Sequence, residues 1–150
     1  MEAPDMLRLF DQSTFSDEAA GTHGDCNRAC VATICQVDPE TLPHPIASDG
    51  FWNGGYLRAL REQLGVRIRH VDYDAEAIAH PDVTDEDGFP LPRIVMAAGP
   101  SPRGPWNHAV VWDRIAGRMV HDPHPDRTGL SEIKWIDYLR PVEVSDNAIS

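Results

Sequence analysis

The ten residues after Asp25 constrain the fold more than any other part of the chain. Cys26-Asn27-Arg28-Ala29-Cys30-Val31-Ala32-Thr33-Ile34-Cys35 is apolar on nearly every side beyond its first turn, whereas a helix lying on a surface shows a single apolar stripe. Such a segment is predicted to be a buried helix, and the rest of the chain has to wrap it. Asp25 stands where an N-cap is expected, and Val37-Asp38-Pro39 ends the run.

The C-terminal two thirds of the chain supply the cover. A second helix is predicted from Gly54 or Gly55 to Leu64, with Tyr56, Leu57, Leu60 and Leu64 on one face and Gly65 as its stop. Val66, Ile68 and His70 then alternate with Arg67, Arg69 and Val71, the pattern of a half-buried strand. Further strands are predicted over 93–97, 108–113 and 118–122. The last two are joined by Arg114-Ile115-Ala116-Gly117 as an antiparallel hairpin. A final extended segment starts at Trp135 or Leu139 and reaches Val144. Pro and Gly place loops at 39–45, 81–92, 99–105 and 123–125. Helices first and antiparallel strands after give an α+β fold rather than alternating βαβ units. A chain of 150 residues suits one domain, 1–150, and needs no disulfide or metal to hold it.

Charge narrows the partners. With 24 acidic against 13 basic residues and a net charge of -11, the chain has no basic face to neutralise phosphates, which argues against nucleic acid. Asp72, Asp74, Glu76, Asp82, Asp85, Glu86 and Asp87 read as solvated surface, and an acidic surface favours a cationic or neutral ligand. No stretch approaches the roughly 20 apolar residues of a membrane span. Glu2 and Asp5 stand where a signal peptide carries positive charge. Three cysteines in such a chain read as free thiols of a reducing compartment, the cytoplasm.

Chemistry concentrates at Gly24-Asp25-Cys26. A thiol on the first turn of a helix meets unpaired backbone N–H groups and the positive end of the helix dipole, which favour the thiolate and offer donors to an oxyanion. Cys30 and Cys35 fall deeper in the apolar run, where loss of water suppresses reactivity. A thiolate nucleophile needs a base, and His108 opens the predicted strand in Trp106-Asn107-His108-Ala109-Val110-Val111-Trp112. Antiparallel pairing around 114–117 sets His108 opposite Asp122, whose carboxylate can hold one ring nitrogen and leave the other for the thiol. Asp25 and Asn27 beside the nucleophile, and Asn107 beside the histidine, are candidates for holding a substrate. So are Arg103 and Trp106 in the loop before His108, which is read as one wall of a cleft, with Arg103 able to pair with a substrate carboxylate.

The order Cys, His, Asp resembles the papain-like cysteine peptidases, and most closely their C39-like branch, whose nucleophile motif reads Asp-Cys-Gly-x-Ala-Cys and whose histidine begins a strand followed by Asp-Pro. Asp25-Cys26, Ala29-Cys30, His108 and Asp122-Pro123 match over roughly residues 12 to 125. The chain is also similar to small phage and bacterial proteins that carry a His-Asp-Pro-His-Pro segment. The resemblance implies a papain-like fold, with the nucleophile helix packed on an antiparallel sheet. It also implies cleavage of an amide bond in a peptide, protein or small amide, without a cofactor. Two features depart from the pattern. Asn27 replaces the glycine after the nucleophile, and Ala19-Ala20-Gly21 occupies the place of the oxyanion glutamine. The one upstream glutamine, Gln12, would serve if residues 16–23 form an inserted loop.

Three other readings compete. Acyl transfer would use the same triad. His121, Asp122, His124 and Asp126 crowd together as metal ligands do, although their spacing matches neither a closed structural site nor the helical zinc motifs. A binding module would present Trp52, Trp106, Trp112 and Trp135, residues more often found in cores.

Overall fold

The computed structural model describes residues 7–17 and 19–142. Its first regular element is the expected buried helix, α1 (Cys26–Cys35), in which Ala29 to Ala32 and Thr33 are almost wholly removed from solvent. It ends where Gln36 turns into the left-handed region at φ 57° and returns its N–H to the Ala32 carbonyl. Gln36 also ties this end to the N-terminal segment, exchanging hydrogen bonds with the main chain of Arg8.

A short 3-10 turn (Pro39–Thr41) leads to α2 (Gly54–Ala59), capped by the Asn53 side chain on Gly55 N–H. The expected helix to Leu64 does reach that residue, but Leu60–Leu64 is wound as a π-helical turn before Gly65 stops it at φ 66°. The buried face also differs from the expected one. Tyr56, Ala59 and Leu60 are buried, whereas Leu57, expected beside them, is exposed.

Five strands complete the fold: β1 (Val66–Asp72), β2 (Ile94–Pro100), β3 (Asn107–Asp113), β4 (Arg118–His121) and β5 (Trp135–Pro141), with a short helix α3 (Ala75–Ile78) between the first two. They form one antiparallel sheet in the order β1-β5-β2-β3-β4. The α+β class expected from the order of elements is what the chain adopts. β5 ends at Pro141, so the strand does not extend through Val142, and the rest of the expected continuation to Val144 lies outside the described residues. In β1, Val66 and Ile68 pack on the core as expected, but His70 does not continue that face inward and is largely solvated.

Each face of the sheet has its own core. Met96, Ala98, Ala109 and Val111 pack against Cys30 and Val31 of α1 and against Tyr56 and Leu60. Val95, Ala97, Val110, Ile136 and Tyr138 pack against Ile78 and Leu91 on the other side. Each fully buried side chain of the larger apolar kinds contributes about 1.5–3 kcal/mol. The second face is held shut by Arg114, a buried guanidinium that donates to the carbonyls of Ile78, His80, Leu91 and Pro92. Among the described residues no helix is long and apolar enough to cross a membrane.

Candidate active site

Asp25 occupies the N-cap position of α1 but does not cap it. Its carboxylate turns inward, accepting from the backbone N–H groups of Ser13 and Thr14 at 2.9 Å and from the Arg28 guanidinium at 2.7 Å. Burial opposes its ionisation, but these donors outweigh that cost and hold the carboxyl below its usual range. At 1% exposure it cannot meet a substrate, contrary to expectation. It instead staples the 12–14 segment to the start of the helix, and Arg28 extends the staple to the Leu42 carbonyl. The first turn of α1 is thereby left to present Cys26.

The staple also decides where Gln12 goes. Asp17 and Thr22 exchange backbone hydrogen bonds, closing residues 16–23 into a small loop. Gln12 is thereby brought back to the nucleophile turn. Its Nε2 lies 3.1 Å from where a Cβ on Gly24 would stand, and its own N–H donates to the Pro123 carbonyl at 3.0 Å. One amide hydrogen goes to the Thr14 carbonyl at 2.8 Å, and the buried Oε1 has no partner. Gln12 shares a cavity of about 30 Å³ with Cys26, His108 and Arg103, a volume sufficient for a single water.

His108 is the second residue of β3. Its Nε2–H donates to Asp122 Oδ1 at 2.7 Å, both groups being almost fully enclosed. With Nε2 engaged, Nδ1 is the ring nitrogen left for Cys26, which lines the same two cavities as His108. Burial disfavours the imidazolium, but the bonds to Asp122 and to Cys26 overcome it and raise its pKa to about 9. Asp122 is pulled the other way. Burial works against its charge, yet His108 and the N–H groups of His124 and Gly129, at 2.9 and 2.7 Å, lower it to about 2. Gly99, the strand partner of His108, has no room for a side chain, because a Cβ would strike the Glu132 carbonyl. The other two thiols are of a different kind. Cys30 is wholly buried and bonded to the Ala109 carbonyl, its pKa pushed well up by burial, and burial also raises Cys35.

A cleft of about 360 Å³ opens onto Cys26 and His108. Trp106 and Asn107 line it, as does Asn27. The Asn27 amide faces the core, however, accepting from the Tyr56 hydroxyl at 2.6 Å and reaching Met96 Sδ at 3.7 Å. Arg103 divides its guanidinium. Nη1 is bound to Asp126 and Thr128 and stands 4.0 Å from Asp122 Oδ2, while Nη2 is buried without a hydrogen-bond partner. A larger hollow of about 530 Å³ lies over Thr14, Phe15, His23 and His44. Neither Cys26 nor His108 lines it, and reacting groups rather than volume mark the candidate site.

The 121–126 segment divides its histidines. His121 donates to the Phe10 carbonyl at 3.0 Å and lies 3.1 Å from Asp11. The Nδ1 of His124 accepts from the Asp126 N–H, and its ring meets those of Phe15 and His108 edge-on. Among the described residues no group of three or more His, Cys, Asp or Glu converges as metal ligands would.

The cleft wall also includes Trp52 and Trp135, which the sequence offered only to a binding module, and Asp137, which it did not mark. The signal was present for the last of them. Asp137 interrupts the apolar run Trp135-Ile136-Asp137-Tyr138-Leu139 at a position where alternation points it into the core with its neighbours two residues away. No protein-family model matches the chain, and comparisons with curated proteins and with solved structures find no match.

Proposed function

We propose that this protein is a cysteine-nucleophile hydrolase of papain-like fold that cleaves an amide or peptide bond through a thioester acyl-enzyme. One observation carries the reading. A buried imidazole is bonded to a buried carboxylate and lines one cleft together with the cysteine that opens the buried helix. A structural histidine needs neither the helix-start thiol nor the cleft.

Cys26 sulfur attacks the substrate carbonyl carbon as the thiolate, the state an adjacent imidazolium favours. The carbonyl electrons move onto oxygen, which the Cys26 backbone N–H and the second amide hydrogen of Gln12 stabilise. Collapse of the tetrahedral adduct expels the amine, which takes the proton of His108 Nδ1. A water then gives its proton to the same nitrogen and attacks the thioester, and the thiolate leaves. Asp122 keeps the ring oriented throughout. A reactive thiol without a disulfide partner suits a reducing compartment such as the cytoplasm.

Peptide mapping after brief iodoacetamide treatment tests this. Cys26 is expected to alkylate well before Cys30 and Cys35, and His108→Ala to abolish that lead. Equal rates at all three thiols would overturn the proposal. Intact mass after exposure to an activated ester should then show one acyl group, located on Cys26 and lost on standing.

A further inference from the structure

Asp137 places a carboxylate on the otherwise apolar, core-facing side of its strand. It lies in β5 next to Met96 of β2, on the sheet face that carries Trp135 and Leu139 into the α1 core. It is only 6% exposed, and burial holds its carboxyl above the ordinary range even though His70 and Trp135 donate to it. His70 Nδ1 meets Oδ1 at 2.8 Å and the Trp135 indole N–H meets Oδ2 at 3.1 Å. Each oxygen retains a lone pair. A buried, desolvated carboxylate at a cleft is where binding or catalysis is commonly found.

Its surroundings define what it would accept. The cleft on Cys26 and a second cavity of about 390 Å³ share Trp52, Trp135 and Asp137, so one groove runs from the nucleophile past Asp137 to His70 and Asp72. Trp52 is half exposed and lies parallel to Tyr56, with ring centroids 6.1 Å apart, which fixes an aromatic face along the groove. The titratable groups around the groove are His70 on the neighbouring strand, Asp72 beyond it, His23 and His108 along the cleft, and the thiols of Cys26 and Cys30 from α1. No lysine or arginine lines either cavity among the described residues.

We infer that this groove is a subsite for a cationic group of the substrate, an ammonium or guanidinium, with Asp137 as its charge partner and Trp52 and Trp135 as its aromatic walls. The inference rests on the hydrolase reading for its place beside Cys26. A cation at the groove would favour the ionised form of a carboxylate that burial opposes, and indole faces attract cations once water is excluded. The net charge of -11 adds a long-range pull in the same direction.

Two measurements separate this inference from the catalytic one. The first is binding to Cys26→Ala protein, followed by tryptophan fluorescence, of N-acetyl-arginine amide against N-acetyl-citrulline amide, which has the same shape without the charge. Arginine is expected to bind about tenfold more tightly. Asp137→Asn and, as a variant at an exposed position, Trp52→Leu should each bring the ratio towards one. Equal binding of the two ligands, or a ratio that survives both variants, overturns the subsite. The second is the rate at which peptidyl chloromethyl ketones with an arginine or a citrulline side chain alkylate Cys26 in the unaltered protein. A charge preference there that Asp137→Asn removes supports the subsite beside the nucleophile. Arginine binding without any preferential alkylation of Cys26 would leave the cation site standing and sink the hydrolase reading. Rapid alkylation of Cys26 without a charge preference would do the reverse.

Discussion

Replacing Asp122 by asparagine removes the charge that holds His108 protonated while keeping the shape of the side chain. Asp122 titrates at about 2 instead of 3.8, which at about 1.4 kcal/mol per pH unit corresponds to about 2.5 kcal/mol in favour of its ionised form. His108, at about 9 instead of 6.5, gives about 3.4 kcal/mol by the same conversion. The imidazole figure is larger because His108 also bonds Cys26. The carboxylate figure is the closer measure of the pair, and it too contains a share from the N–H groups of His124 and Gly129. About 2 kcal/mol is therefore expected for the pair, so Asp122→Asn should lower the His108 titration midpoint by about one to two pH units. The two directions fix the sign for stability. A raised imidazole stabilises the fold fully below 6.5 and loses that contribution as pH rises through 9. A depressed carboxylate stabilises it above 3.8 and loses that contribution as pH falls through 2. In the variant the alkaline loss should be smaller and complete at lower pH, and unfolding at neutral pH should become easier by about 2 kcal/mol. Imidazole proton resonances followed against pH, with urea denaturation at several pH values, read both quantities. An unchanged His108 midpoint in Asp122→Asn would refute the argument.

Gln12→Ala should lower kcat on an amide substrate by about a hundredfold or more with little change in KM, since an oxyanion donor acts only in the transition state; a purely KM effect would remove Gln12 from that role. Arg28→Met leaves the buried Asp25 charge without its guanidinium partner and should destabilise the fold by about 3–5 kcal/mol in urea unfolding. A loss below about 1 kcal/mol would mean that the Ser13 and Thr14 donors suffice to hold Asp25. Gly99→Ala forces main chain apart beside His108, so it should slow Cys26 alkylation as well as lower stability. Unaltered alkylation would show that this strand pairing does not position the histidine.

Local signals are legible in the sequence and long-range pairings are not. The helix after Asp25, the hairpin around 114–117 and the meeting of His108 with Asp122 follow from apolar periodicity and a single turn, and the structure has all three. Asp25 misleads because a carboxylate before a helix has two uses. Which one wins depends on Ser13, Thr14 and Arg28 converging on it from both sides. The pitch change at Leu60–Leu64 has no local marker in Leu-Arg-Glu-Gln-Leu. Arg103 illustrates the same limit, since its partner Asp126 is 23 residues away and nothing in the intervening sequence announces the pairing. Asp137 is within reach of pattern reasoning, as an acid on the inward side of an apolar strand.

The strand order has a consequence for how the protein is made. β2, β3 and β4 are consecutive and can pair as they emerge, but β1 has a single neighbour, β5, which is the last strand of the described residues. A growing chain that stops short of Trp135 therefore holds β1 unpaired beside an unfinished meander, and loops of this length close slowly. The cleft is completed by the same event, because Trp135 and Asp137 arrive with β5. Translation thus sets a clock on the thiol: its binding groove is assembled only after more than a hundred further residues have been added behind Cys26.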